Sequence, residues 1–254
     1  MCHAGLTDPN APAVLHIEVE VDVPGGKMPA TLYLPNTGKG PGISLLTDMY
    51  GPIPFYRAVA SRLAAEGYVV LLSDYFFRQG RLPAETREEG FSRHSRSDEV
   101  TAIDDHAAAV SWLQRRPEVV QDRVGLLGFC LGGTIALNLC AAGANAVAVC
   151  YYAFPFSFGN PCRRKAPRPI DIASEISAPV LSHWGDADYI PLSEIEAFGA
   201  AMRKFGHPYT ERVYSGAGHG FLAGLVERSG DSSAAHESWE LTQAFFSRHL
   251  GGSR

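Results

Sequence analysis

The sequence predicts an α/β domain, a mainly parallel sheet with helices on both faces and antiparallel strands at its N-terminal edge. Three observations carry this. Apolar strand-like runs and helical segments alternate from residue 43 to the end of the chain, the pattern of βαβ units. The run Val124–Phe129 has no strict polar alternation, as expected for a strand covered on both faces. Leu15, Ile17, Val19 and Val21 do alternate with His16, Glu18, Glu20 and Asp22, which marks a half-exposed strand.

In chain order, residues 1–12 are expected to be loosely ordered, and residues 13–254 to form one domain. Cys2 and His3 fall in that terminus and are read as part of it. Pro24-Gly25-Gly26-Lys27 is a turn, and Met28–Leu34 returns as the hairpin partner. After a Gly/Pro loop over 36–42, Ile43–Thr47 is a short buried strand ending in the loop Asp48-Met49-Tyr50-Gly51-Pro52. Phe55–Glu66 is an amphipathic helix closed by Gly67, and Val69–Ser73 the next strand. Asp74–Ser97 reads as a long irregular segment. It holds Tyr75, Phe76, Phe77, Arg78, Arg81, Arg87, Arg93 and Arg96, a mixture that suits either a pocket wall meeting an anion or a solvated loop. Glu99–Arg115 is a helix stopped by Pro117, with His106 read as a surface residue. A helix follows Gly132, and Ala146–Tyr152 is a strand. Residues 154–170 are a connection carrying a solvated cationic patch, Cys162-Arg163-Arg164-Lys165. Val180–Trp184 and Tyr209–Tyr214 are strands, with the helix Leu192–Lys204 between them. Ala234–Leu250 closes the chain as a helix.

Composition narrows the function classes. The chain has 254 residues and a formal net charge of −5, which gives no reason to expect nucleic acid or an anionic membrane as partner. No apolar run reaches about 18 residues, the length of a membrane-spanning helix, and the first residues lack a signal-peptide pattern. Five cysteines without a C-x-x-C pair suggest a reduced, cytoplasmic protein. A monomer without metal or cofactor is expected.

The chemistry is carried by Gly128-Phe129-Cys130-Leu131-Gly132-Gly133. A strand, a tight turn with glycines two before and two after a nucleophile, and a helix make a nucleophile elbow, here with Cys for Ser. The helix start carries positive partial charge, which favours both a thiolate and an oxyanion. In α/β-hydrolases the chain order is nucleophile, acid, histidine. His219, in Gly216-Ala217-Gly218-His219-Gly220, is the one histidine of nine in such a glycine-rich loop. Asp186 and Asp188 both qualify as the acid, and the Gly185-x-x-Asp188 spacing favours Asp188. Asp186 would then cap the turn. Asp48, Arg78, Cys130, Tyr152, Asp186, Asp188 and His219 all lie just past predicted strand ends, where such sheets bind ligands.

From about residue 15 to the end, the chain resembles the dienelactone hydrolases (carboxymethylenebutenolidases). The resemblance rests on the Cys elbow, on Gly185-x-x-Asp188 with Pro191, and on Gly218-His219-x-Phe221. It implies the α/β-hydrolase fold and hydrolysis of an activated ester or lactone through a thioester on Cys130, with His219 as base and Asp188 orienting it. Oxyanion donors would be the N–H groups of Leu131 and Met49. Asp48-Met49-Tyr50-Gly51 matches a segment whose carboxylate holds the resting thiol, although the family has Glu there. Tyr75–Gln79 resembles the segment whose Arg, here Arg78, binds a substrate carboxylate, and Tyr152 matches a pocket-lining Tyr. No Arg follows His219 closely, unlike in the family. The same acyl-cysteine would also serve a cyclase or acyltransferase, and the scaffold could bind a small molecule without catalysis.

Overall fold

The computed structural model describes residues 3–227 and 232–251. Eight strands form one sheet: β1 (Leu15–Val23), β2 (Gly26–Leu34), β3 (Gly40–Leu46), β4 (Val69–Ser73), β5 (Val119–Phe129), β6 (Val147–Tyr151), β7 (Val180–Gly185) and β8 (Tyr209–Tyr214). Their spatial order is β1-β2-β4-β3-β5-β6-β7-β8. The hairpin β1–β2 and the β2–β4 pair are antiparallel, and every later pair is parallel. Among the described residues the α-helices are α1 (Pro54–Ala65), α2 (Arg87–Ser95), α3 (Glu99–Gln114), α4 (Leu131–Ala141), α5 (Leu192–Lys204) and α6 (Ser233–Leu250).

Every residue of β3, β4 and β7 is buried, because helices cover both faces. α3 and α4 pack together on one face of the sheet, while α1 and α6 pack on strands of the other. Gln243 of α6 donates to Glu66, just past α1, at 2.6 Å. β1 lies at the edge, and its charged, alternating residues remain largely exposed, a pattern that discourages pairing with another chain. No helix among the described residues is long and apolar enough to cross a membrane.

Four local expectations need correction. Residues 74–97 are not irregular throughout: a 3-10 turn spans Phe77–Gln79 and α2 spans Arg87–Ser95. The Thr86 hydroxyl caps α2 by accepting from the Glu89 N–H, with Glu88 and Glu89 in the first turn and Arg93 and His94 in the last, charges that suit the helix dipole. His106 is fully buried on the inner side of α3. The cationic stretch 162–165 is not simply solvated. Arg164 pairs with Asp98, and Lys165 reaches Glu99 and the Phe158 and Asn160 carbonyls. His3, assigned to a loose terminus, is buried. Asp8 and Gly5 anchor the segment beside it to Arg62 and Glu85. Cys2 lies outside the described residues.

Candidate active site

The parallel register brings three strand ends together. Leu46 of β3 pairs with Gly128 of β5, and Phe129 pairs with Tyr151 of β6. Asp48, Cys130 and Tyr152 therefore follow their strands at neighbouring positions. At Cys130 the chain turns sharply into α4 with φ 56° and ψ −118°, a sparsely populated conformation of the kind that clusters at active sites. The turn is possible because Gly128 and Gly132 lack side chains. A Cβ on Gly128 would lie 2.6 Å from the Gly132 oxygen, and one on Gly132 would lie 2.2 Å from the Leu46 oxygen. The Cys130 N–H donates to the Tyr151 carbonyl at 2.9 Å and is thus engaged. The next amide, Leu131, opens α4, where the first N–H groups have no intrahelical acceptor.

The loop bearing Met49 is fixed from several sides. Asp48 Oδ1 accepts from the Tyr50 N–H at 2.8 Å, and the Asp48 carbonyl accepts from the Gly51 N–H at 3.1 Å. The Tyr75 hydroxyl lies 3.2 and 3.3 Å from the Thr47 and Asp48 carbonyls. Burial holds that phenol well above its ordinary pKa, so it stays a donor. Arg93 Nη2 donates to the Met49 carbonyl at 2.6 Å, with its guanidinium over the Phe76 ring.

His219 sits between β8 and a 3-10 turn over Phe221–Leu225. Its Nδ1 lies 2.8 Å from Asp188 Oδ2 and 3.1 Å from Oδ1. Asp188 Oδ1 also accepts from the Ile190 N–H. Asp186 is placed differently: its Oδ1 accepts from the Gly216 N–H at 2.6 Å, tying one loop to the other. Cys130 and His219 line one cavity of about 340 Å³ with Met49, Tyr50, Arg87, Phe91, Phe158 and Tyr189 among its walls. Cys140 and Cys150 are buried, and burial pushes the Cys140 thiol up to about 12 and Cys150 well above its usual value. Such thiols are inert; Cys130 is also only 1% exposed, but it lines the cavity at the start of α4.

Three expected site residues are placed otherwise than anticipated. Asp48 is fully buried, but its Oδ2 makes no hydrogen bond to the Cys130 thiol or to any other described atom. It faces His3 Nδ1 at 3.6 Å, consistent with a side chain one methylene shorter than Glu. Tyr152 has φ 40° and is fully buried. Its ring centroid is 4.8 Å from that of His219, and its hydroxyl is 2.9 Å from His3 Nε2. Arg78 does not line the cavity. It forms a bidentate pair with the buried Asp105 and donates to the Pro24 carbonyl at 2.7 Å. The cation among the cavity's lining residues is Arg87, whose guanidinium lies over the Phe91 ring at 5.0 Å. His3 is the residue that sequence reasoning missed, whereas Arg87 and Arg93 belong to the Arg-rich segment read as either a pocket wall or a solvated loop, with Arg78 singled out in their place. The Thr86-x-x-Glu89 capping pattern was the available signal for α2, and nothing in the sequence marks His3.

Among the described residues one cluster has ligand-like spacing for a metal: His94, Glu99 and Cys162. Lys165 Nζ stands 3.1 Å from Glu99 Oε1, His94 Nε2 3.0 Å from the same oxygen, and Asn160 Nδ2 3.0 Å from His94 Nδ1. The lysine ammonium supplies the positive charge there, which makes the cluster an internal ion-pair network.

The dienelactone hydrolase family model matches residues 28–250. The chain is 39% identical to a Rhodococcus opacus carboxymethylenebutenolidase over 257 aligned positions, covering 98% of each chain. It is 30% identical to a candidate 2-oxo-3-(5-oxofuran-2-ylidene)propanoate lactonase of a Bradyrhizobium species, over 86% of this chain and 88% of that one. A crystal structure of a candidate dienelactone hydrolase from Klebsiella pneumoniae subsp. pneumoniae superposes with a TM-score of 0.82 at 27% identity, covering 93% of this chain and all of that one.

Proposed function

The chain belongs to the dienelactone hydrolase family, with the α/β-hydrolase fold, and from that premise we propose that it hydrolyses an activated, carboxylate-bearing ester or unsaturated lactone through a thioester on Cys130. The relatives' names point to this substrate class, since both describe a five-membered unsaturated lactone carrying an acid group. The observation that carries the reading is the Asp188–His219 pair, which shares one cavity with a cysteine at a helix start.

His219 takes the thiol proton, and Asp188 holds Nδ1 and stabilises the imidazolium. The Cys130 sulfur bonds to the carbonyl carbon, and the carbonyl electron pair moves to its oxygen. The Leu131 and Met49 N–H groups receive that charge, and one such donor is worth roughly 3 kcal/mol elsewhere. Collapse breaks the carbon–oxygen bond of the ester or lactone. The leaving oxygen departs as an alkoxide or enolate and takes the proton from His219. Water, deprotonated by His219, then attacks the thioester and expels the thiolate. A thiolate leaves the tetrahedral intermediate more easily than a poor leaving group such as an amine, so enol lactones and activated esters suit this nucleophile. The substrate carboxylate meets Arg87, because Arg78 is engaged with Asp105.

The test compares hydrolysis of a carboxymethylene butenolide and an uncharged aryl ester by the wild type and Cys130→Ala. Mass spectrometry would follow the acyl-enzyme, and ¹⁸O-water the product. Loss of turnover in Cys130→Ala, an adduct on Cys130 and one ¹⁸O per product are expected. A product without the label would instead indicate cyclisation or acyl transfer, and undiminished turnover in Cys130→Ala would exclude the cysteine.

A further inference from the structure

His3 is the first described residue of the chain, yet its ring is fully buried. It lies parallel to Phe55, with centroids 3.8 Å apart and planes within 2°. Its Nδ1 is 2.8 Å from the Tyr56 hydroxyl, and its Nε2 is 2.9 Å from the Tyr152 hydroxyl. Nδ1 also faces Asp48 Oδ2 at 3.6 Å, an oxygen with no hydrogen bond among the described residues. Burial outweighs the nearby carboxylate and holds the imidazole below its ordinary value. The ring is therefore neutral at pH 7, with one nitrogen donating and the other accepting. With the proton on Nδ1, the N–H points at the Tyr56 oxygen and the Asp48 carboxylate, and Nε2 accepts from Tyr152. The segment is held in place by Asp8 Oδ2 against Arg62 Nη2 at 2.5 Å and by the Gly5 N–H donating to Glu85 at 2.7 Å.

We propose that His3 is a positioning residue of the active site: the docked N-terminal segment uses its ring to hold the Tyr152 hydroxyl, whose ring packs on His219. The inference rests on Cys130 and His219 being the catalytic pair, and extends that reading to a part of the chain outside the segment matched by the family model. A ring needed only as filler would be satisfied by its stack on Phe55. A phenyl ring would take one hydrogen bond from each of the Tyr56 and Tyr152 hydroxyls.

The test uses full-length protein with any affinity tag at the C-terminus. His3→Phe keeps the stack and removes the hydrogen bonds, whereas His3→Gln keeps a donor and an acceptor. We expect His3→Phe to lower kcat about 10-fold or more with KM within about twofold. His3→Gln should recover most of kcat. Tyr152→Phe should lower kcat as well, and the double variant should lose no more than the worse single one, since both remove the same bond. Wild-type kcat in a folded His3→Phe would overturn the proposal, as would losses that multiply in the double variant. Undiminished turnover in Cys130→Ala overturns the catalytic reading and this inference with it. Unchanged His3 variants of an enzyme that depends on Cys130 overturn this inference alone.

Discussion

Arg93, on the buried side of α2, donates to the Met49 carbonyl at 2.6 Å, and so ties that helix to a loop that lines the same cavity as Cys130. Arg93 is 3% exposed, so its charge is committed to this position. Replacing it with Met keeps the stem over Phe76 and frees the Met49 peptide. Arg93→Met is expected to lower kcat about 10- to 100-fold, less than deleting an oxyanion donor outright, with a small change in KM. Steady-state kinetics on a neutral aryl ester would check this, and an unchanged kcat in the folded variant would count against it.

Asp188 and Asp186 lie two residues apart and do different work. Asp188→Asn should cut kcat about 10³-fold or more, because the wrong histidine tautomer is then favoured. Asp186→Asn should stay within about threefold of wild type, because an amide oxygen can still accept from the Gly216 N–H. Equal losses in the two variants would show that the loop tie, and not the pairing with His219, sets activity.

Arg87 and Arg78 should separate binding from stability. Arg87→Ala should raise KM for a carboxylate-bearing ester at least about 10-fold and leave a neutral ester unaffected, since a charge-assisted contact is worth about 1.5–3 kcal/mol. Arg78→Ala strands Asp105, whose side chain is 1% exposed. It should destabilise the protein by about 3 kcal/mol, seen in urea melts. An Arg78→Ala variant of normal stability with a KM defect for acidic esters alone would restore Arg78 to substrate binding.

His106 is fully buried, and neither ring nitrogen has a hydrogen-bond partner among the described residues. Burial pulls its pKa from 6.5 down to about 3, and His183 falls to about 3 for the same main reason. The unfolded chain therefore binds protons first as pH drops, and stability declines below pH 6.5 until the folded-state values near 3 are reached. At pH 4.5 this amounts to about 2–3 kcal/mol per histidine. His106→Leu should flatten the stability–pH curve between pH 6.5 and 4 and cost about 1 kcal/mol or less at pH 7. Parallel curves for the variant and wild type in urea melts would refute the assignment.

The sheet was legible because its central strands are apolar without alternation while the hairpin alternates, and because Gly128 and Gly132 flank Cys130 at a fixed spacing. Triad order and the 185–191 motif led to Asp188, whose pairing with His219 is then a matter of loop geometry. What escaped depends on contacts distant in sequence. His3 lies 149 residues from Tyr152, and no local pattern records that meeting. Arg78 sits in a segment that resembles a substrate-binding one, but Asp105, 27 residues on, captures its guanidinium. The polar face of α2 hid a helix whose identity rests on its cap and end charges instead of an apolar stripe.

The close approach of Gly132 to the Leu46 and Thr47 carbonyls makes the molecule modular for an engineer. Met49 and Leu131 hang from main chain pressed against main chain, so their separation is indifferent to the identity of nearby side chains. Phe91 and Phe158 belong to the other module, a wall of side chains around the same cavity, whereas Tyr189 packs on His219 with ring centroids 4.5 Å apart. Libraries confined to that wall can be expected to redraw which substrates the cleft admits while the spacing of the Met49 and Leu131 main chain is kept.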